Sequence, residues 1–227
     1  MTQLQLKSLV RLEKYRSYKG LVGRIAPNIL QRQFDAQVPH QKWVTDVTEF
    51  NVSGQKLSLS PVMDLYNGEI IAYQTARRPV FEMVSMMLKK AFTRLTLSDK
   101  PILHADQGSQ YQMLGYRHLL AKNGVEQSMS RKGNCLDNAA MESFFGTLKS
   151  AFFYLNKFSS VEDLHAGLES YIHYCNPDRI KLKLKGLSPV KYRTQPNKSL
   201  LGYSAVSDLA AAGFMISTLA FFFNASI

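Results

Sequence analysis

The chain has 227 residues, with 28 Lys and Arg against 17 Asp and Glu, a formal charge of +11 and a pI near 9.6. At 45% hydrophobic and 20% charged it is too apolar for a disordered chain, and it is long enough for one sizeable core with a small appendage. So large a cationic excess makes nucleic acid the leading partner through phosphate neutralisation, while two cysteines, Cys135 and Cys175, exclude a disulfide framework.

Residues 1–38 are basic and loosely patterned, with Lys7, Arg11, Lys14, Arg16, Lys19 and Arg24 ahead of the breaker Ala26-Pro27-Asn28. They read as an N-terminal remnant or linker. No apolar signal region opens the chain, and with the absence of a disulfide framework this favours a reducing cytoplasm. Residues 43–50 predict a strand, followed by the turn Ser53-Gly54-Gln55 and a second strand from Lys56 to Tyr66. Asn67-Gly68 between two β-rich runs is a hairpin signal and leads into a third strand, Glu69 to Thr75. Apolar residues at Val80, Val84, Met87, Leu88, Ala91 and Leu95 repeat with a helical period over 80–97. A short buried strand at 101–105, a helix at 113–123 and a last strand near 124–129 complete this region.

The polar, basic stretch from Ser130 to Asn134 reads as a loop. Asp137 or Asn138 suits the cap of a helix running to about Leu155, and a second helix spans Val161 to Tyr174 until Asn176-Pro177 ends it. Residues 39–175 therefore form the core. Residues 176–198 are a basic C-terminal segment, within which 179–193 is suited to a phosphate-contacting strap. Residues 199–227 carry one charged side chain, Asp208, and form an apolar tail of unknown role. It is open to three readings: a non-native reading-frame extension, a helix packed on the core or a partner, or a membrane segment. Its apolar run is shorter than the ~20 residues a bilayer span needs, so no stable membrane association is expected.

Three carboxylates stand in sequence contexts suited to holding a catalytic metal. Asp46 lies within WVTDVTEF (43–50), Asp106 ends an apolar run inside HADQGSQY (104–111), and Glu142 opens a helical pattern with 35 residues between it and Asp106. Taken alone, each has an ordinary alternative as a strand-edge, turn or solvated helix residue. Phosphodiester chemistry needs an activated oxygen nucleophile and neutralisation of charge on the leaving oxygen, and two divalent metals about 3.5–4 Å apart supply both. Hard ions such as Mg2+ take oxygen ligands and need few carboxylates, because water and phosphate complete the shell.

With SRKGNCLDNAAMESFFGTLKS (130–150) and YIHYCNPDRIKLKLKGLSPVKYR (171–193), these motifs resemble the long-frame transposase of IS-three family insertion sequences, whose catalytic core is related to retroviral integrases. The resemblance runs from roughly Pro39 to Gln195. With the element order it implies an α/β, ribonuclease H-like fold, a mixed five-stranded sheet flanked by helices. It implies a DDE-class enzyme that uses Mg2+ or Mn2+, two ions per site, to cleave the 3′ end of the element and transfer the freed hydroxyl to target DNA. Terminal inverted repeats and target DNA are the implied substrates, and a homo-oligomer on DNA the implied assembly. The family usually carries a DNA-end-binding region ahead of the core, of which only the downstream edge fits here, so the chain looks truncated at its start. Two rival readings are an idle DNA-binding remnant and a ribonuclease H-like nuclease.

Asp46, Asp106 and Glu142 are thus the expected catalytic and metal-holding residues. Asp64, on a neighbouring strand, is the main competitor for a ligand role, and Glu49 points to the opposite strand face. Asn138, Glu142 and Lys149 share a helical stripe, which places Asn138 and Lys149 as DNA contacts beside the metals, with a basic residue standing at the Lys149 place in the resembling family. Arg131 and Lys132 in the preceding loop are further phosphate contacts. His104 reads as a packed histidine, Trp43 and Phe144-Phe145 as core aromatics, and no structural zinc is expected. Ala105, Ala151 and Cys175 depart from the family's usual residues without removing a catalytic group.

Overall fold

The computed structural model describes residues 23–195. The N-terminal basic residues before Gly23 and the apolar tail 199–227 lie outside the described residues. Eleven regular elements follow in order: β1 (Lys42–Thr45), β2 (Thr48–Val52), β3 (Gln55–Asp64), β4 (Ile70–Ala76), α1 (Phe81–Phe92), β5 (Ile102–Ala105), α2 (Leu114–Lys122), β6 (Glu126–Met129), α3 (Ala139–Leu148), α4 (Val161–Cys175) and α5 (Pro189–Arg193).

The sheet is mixed. β3 pairs antiparallel with β4 on one side and with β1 and β2 on the other, while β1, β5 and β6 run parallel. β1 and β2 are one strand interrupted at Asp46-Val47, since Thr45 faces Val62 and Thr48 faces Leu59, with two residues intervening on each side. The sheet therefore has six segments in five positions, as the element order implied. Ser53 and Gly54, with φ of 50° and 81°, form the two-residue turn whose left-handed residues match strand twist. The next hairpin needs a longer connection: β3 stops at Asp64 rather than Tyr66, and Asn67-Gly68 sits within a loop closed by Gly68 N–H donating to Asp64 O at 2.7 Å.

Strand alternation sends successive side chains to opposite faces. Trp43, Val62 and Leu103 pack with α1 and α2, whereas Val44, Leu59 and Met63 pack with α3 and α4. Trp43 and Phe145 are buried core aromatics, as the sequence suggested. α1 is shorter than its apolar period, ending at Phe92, and exposed Val80 and part-buried Leu95 flank it. α4 starts at an N-cap: Ser160 Oγ accepts from Asp163 N at 3.0 Å, and Asp163 Oδ2 accepts in turn from the preceding Ser159 N at 2.9 Å.

Residues 176–193 fold back onto the β3–β4 loop. The Asn176 amide brackets Ile70, accepting from its N–H and donating to its C=O, both at 2.9 Å. Asn67 donates to Pro189 O at 2.8 Å, Lys181 Nζ to Gly68 O at 2.9 Å, and Arg193 pairs with buried Glu69 at 3.2 Å. The basic composition of this segment thus serves partly to hold the loop, a role that the reading as a phosphate-contacting strap does not include.

Candidate active site

The register of the parallel strands decides where the two aspartates stand. Val44 on β1 is the partner of His104 on β5, and Asp46 and Asp106 each follow two residues later, at the C-terminal ends of neighbouring strands about 4.8 Å apart. Alternation gives both the face of Val44, which packs against α3. Each carboxylate accepts one local backbone bond: Asp46 Oδ1 from Val47 N at 2.7 Å and Asp106 Oδ1 from Gly108 N at 2.9 Å. No Lys, Arg or His among the described residues forms an ion pair with either.

Burial, and then the charge of Asp106, push the Asp46 carboxyl up to about 8, with Glu142 adding to the rise and Lys149 opposing it. Burial likewise raises Asp106. Glu142, on the first turn of α3, is more exposed, and desolvation raises it too. Two part-buried carboxylates stand at the same level, and the charge of Asp106 disfavours that of Asp46, a repulsion that a bound cation would relieve. Among the described residues no three His, Cys, Asp or Glu side chains stand close enough to enclose an ion by themselves. The donor set still fits a hard divalent ion that keeps several waters, because such an ion needs only one or two protein carboxylates before phosphate and water fill its shell.

Lys149 follows α3 and opens a π-helical turn, Lys149–Phe153. Its Nζ lies 5.9 Å from the Phe50 ring centroid, within cation–π range, and close enough to act on Asp46. Asn138 differs from the expected helical stripe. It ends a 3-10 turn, is buried, and donates from its amide to Thr45 O at 3.4 Å, tying the start of α3 to the strand end beside Asp46. It makes no capping bond. Its Oδ1 is buried without a partner.

Asp137 makes no cap either, because Asn28, Arg32 and Arg131 occupy both its oxygens. Arg131 thus directs its Nε and Nη2 to Asp137 while its side chain stays largely exposed, and Lys132 is exposed in the loop. Asp64 lies opposite Trp43, away from Asp46, and its oxygens accept from the backbone of His40 at 2.8 Å and Tyr66 at 3.0 Å. It is a loop-holding residue. Glu49 is turned to solvent, paired with Lys56 at 2.6 Å.

His104 is buried between Ser128 Oγ at 2.8 Å and Ser130 Oγ at 3.0 Å. Ser128 Oγ already accepts from the backbone of Ile29 and Leu30 at 2.9 and 3.2 Å, so its proton goes to His104 Nδ1. The ring is then the Nε2–H tautomer, donating to Ser130. Burial lowers its pKa to about 4, which keeps it neutral. Tyr111 and Tyr116 were not singled out in the sequence. They are fully buried, 5.4 Å apart and edge-on, and burial raises both hydroxyls, with the charges of Asp46 and Asp106 adding to the rise at Tyr111 and that of Asp106 at Tyr116. The signal was present, since Tyr111 closes HADQGSQY, but nothing local shows that its 3-10 turn folds beneath the aspartates.

Models of the integrase core domain match residues 36–135 and 142–196. The chain is 55% identical over 195 residues to the InsK transposase assigned to insertion sequence element IS150 of Escherichia coli K12, covering 86% of this chain and 69% of that protein. It is also 57% identical over 195 residues to a transposase-like protein of Haemophilus influenzae, covering 86% and 90%. The chain belongs to the insertion-sequence transposases. This is the family that the four motifs implied, and the chain is a DDE-class DNA transposase. The catalytic core domain of HTLV-2 integrase, determined in complex with magnesium, has the same fold, with a TM-score of 0.53 at 13% identity over 69% of this chain and 98% of that one. In this transposase core the paired aspartates occupy the strand ends that the sheet register aligns.

Proposed function

We propose that this transposase cleaves the 3′ ends of its element and joins them to target DNA at a site built from Asp46, Asp106 and Glu142. The observation that carries the assignment is the pair of part-buried aspartates at equal positions on adjacent parallel strands, where the charge of Asp106 opposes that of Asp46. The three carboxylates hold Mg2+ or Mn2+, two ions in the working site. Bound ions supply activation of the attacking oxygen and neutralise charge on the leaving oxygen. Asp46 and Asp106 provide fixed ligands because their local backbone bonds orient them, and Glu142 approaches from α3. Lys149 holds a phosphate of the element's end, and Lys132 a neighbouring one. Terminal inverted repeats and target DNA are the substrates, a homo-oligomer on DNA is the working assembly, and the setting is the bacterial cytoplasm at the nucleoid. No helix among the described residues is long and apolar enough to cross a membrane.

Metal binding should be visible without catalysis. At Mg2+ tenfold above its dissociation constant, preferential binding to the folded state adds about 1.4 kcal/mol, a rise of about 3–6 °C in melting temperature for a domain of this size. Asp46→Asn and Asp106→Asn should lose most of that rise; an equal rise in both variants would place the ion elsewhere. Lys149→Ala should weaken end binding and lower the salt slope by about 0.9, one phosphate contact, with metal affinity little changed. Fluorescence anisotropy over a salt series checks this, and an unaltered slope would make Lys149 a solvated helix residue.

A further inference from the structure

The residues ahead of β1 reach the loop that precedes α3 through one carboxylate. The Asp137 side chain is wholly buried and accepts five hydrogen bonds: Asn28 Nδ2 at 2.9 Å, Arg131 N at 3.0 Å and Arg131 Nε at 2.9 Å on Oδ2, with Arg32 Nε at 2.8 Å and Arg131 Nη2 at 2.9 Å on Oδ1. A carboxylate offers about four lone-pair sites, so this one is saturated. Arg32 also donates from Nη2 to Asn134 Oδ1 at 3.1 Å. Neither arginine uses its Nη1 on any described residue, and their side chains remain 42% and 59% exposed. Two guanidiniums around one carboxylate leave a net positive charge at the surface, with Lys132 next to it.

The segment that carries Arg32 is fixed in place. Gln31 and Arg32 are consecutive left-handed residues, with φ of 47° and 64°, a conformation that non-glycine residues hold only where the surroundings dictate it. Here the dictating contacts are Gln31 N–H donating to Asn28 Oδ1 at 2.8 Å, the bonds of Ile29 and Leu30 to Ser128, and the Asp137 pair. A buried charge cluster of this kind is a weak source of stability compared with apolar packing. What it provides is orientation: planar forks whose remaining donors face solvent are the groups best matched to phosphate oxygens. Asp137 directly precedes Asn138, which donates to Thr45 O next to Asp46, and Arg131 directly follows Ser130, whose carbonyl accepts from Gln107 next to Asp106, so the chain ties the cluster to both aspartate-bearing strand ends.

We propose that Arg32 and Arg131, oriented by Asp137, form a seat for a DNA phosphate beside the active site, and that residues 28–32 belong to the DNA-binding surface. The inference rests on the reading of this chain as a DNA-acting transposase. Phosphate contacts are independent of sequence, so the probe is a random-sequence DNA duplex, with binding to the full chain followed over a salt series. Arg32→Gln keeps a donor for Asp137 but removes the charge. It should fold like the parent, lower the slope of log affinity against log salt by about 0.9, and weaken binding roughly eightfold at about 0.1 M salt. Arg32→Lys should restore the slope. If Arg32→Gln keeps the parent's slope, or if Arg32→Lys loses as much as Arg32→Gln, the arginine only packs the loop and the seat is wrong. Arg131→Gln gives the same reading from the other guanidinium should Arg32→Gln fail to fold. A parent chain that does not bind duplex DNA at all overturns the DNA-acting reading itself.

Discussion

Replacing Asp46 or Asp106 with Asn, or Glu142 with Gln, is expected to lower 3′-end cleavage and joining by at least about 1,000-fold, the scale of losing a group that stabilises transition-state charge. Folding should survive. Asp46 and Asp106 carry raised carboxyls, so turning either into a neutral amide relieves repulsion and should leave the melting temperature without added metal equal to or above the parent's. The expected pattern is therefore lost chemistry with retained or improved stability, measured by oligonucleotide cleavage and thermal melting on the same preparations. A variant retaining near-parent activity would remove that residue from the site.

Trp43→Ala is expected to give the largest loss of stability, about 3–5 kcal/mol, or a melting temperature lower by on the order of 10 °C. Trp43 is fully buried among residues of α1, α2 and the sheet. Its Nε1 has no hydrogen-bond partner, so its removal also deletes an unsatisfied donor, which moves the loss toward the lower end. Trp43→Phe should lose less, because the ring volume largely remains. Activity should fall with Trp43→Ala even below its melting temperature, since Trp43 pairs with Leu103 in the register that aligns Asp46 with Asp106. Thermal melting and cleavage assays check both parts. Full stability for Trp43→Ala would mean that the sheet is not organised around this residue.

Much of this arrangement is legible in the sequence because it depends on local pattern. The β-branched and aromatic run at 43–50, the apolar period of α1 and the Ser53-Gly54 turn each state their geometry within a few residues. The interruption of the first strand is not legible, because Asp46 and Val47 leave the ladder, with Asp46 Oδ1 accepting from Val47 N, and nothing in WVTDVTEF forbids a continuous strand. The parts that misled involve partners distant in sequence. Asp137 looks like a helix cap, yet its oxygens belong to Asn28, Arg32 and Arg131. Asn138 looks like a surface residue on the Glu142 stripe, yet a 3-10 turn buries it against Thr45. Residues 179–193 read as a basic, phosphate-contacting strap, and the fold adds that Lys181 and Arg193 bind the β3–β4 loop. A charge count reports composition, and pairing is decided only by the tertiary fold.

The most direct test of the central claim is strand transfer by the full chain, using an oligonucleotide with a recessed 3′-hydroxyl end and a supercoiled plasmid as target. With Mg2+ or Mn2+ the products should be oligonucleotide joined to plasmid, without protein attached to DNA, and chelation or Asp106→Asn should abolish joining. Joining that persists under chelation, or DNA recovered covalently bound to the protein, would contradict a carboxylate-held metal site.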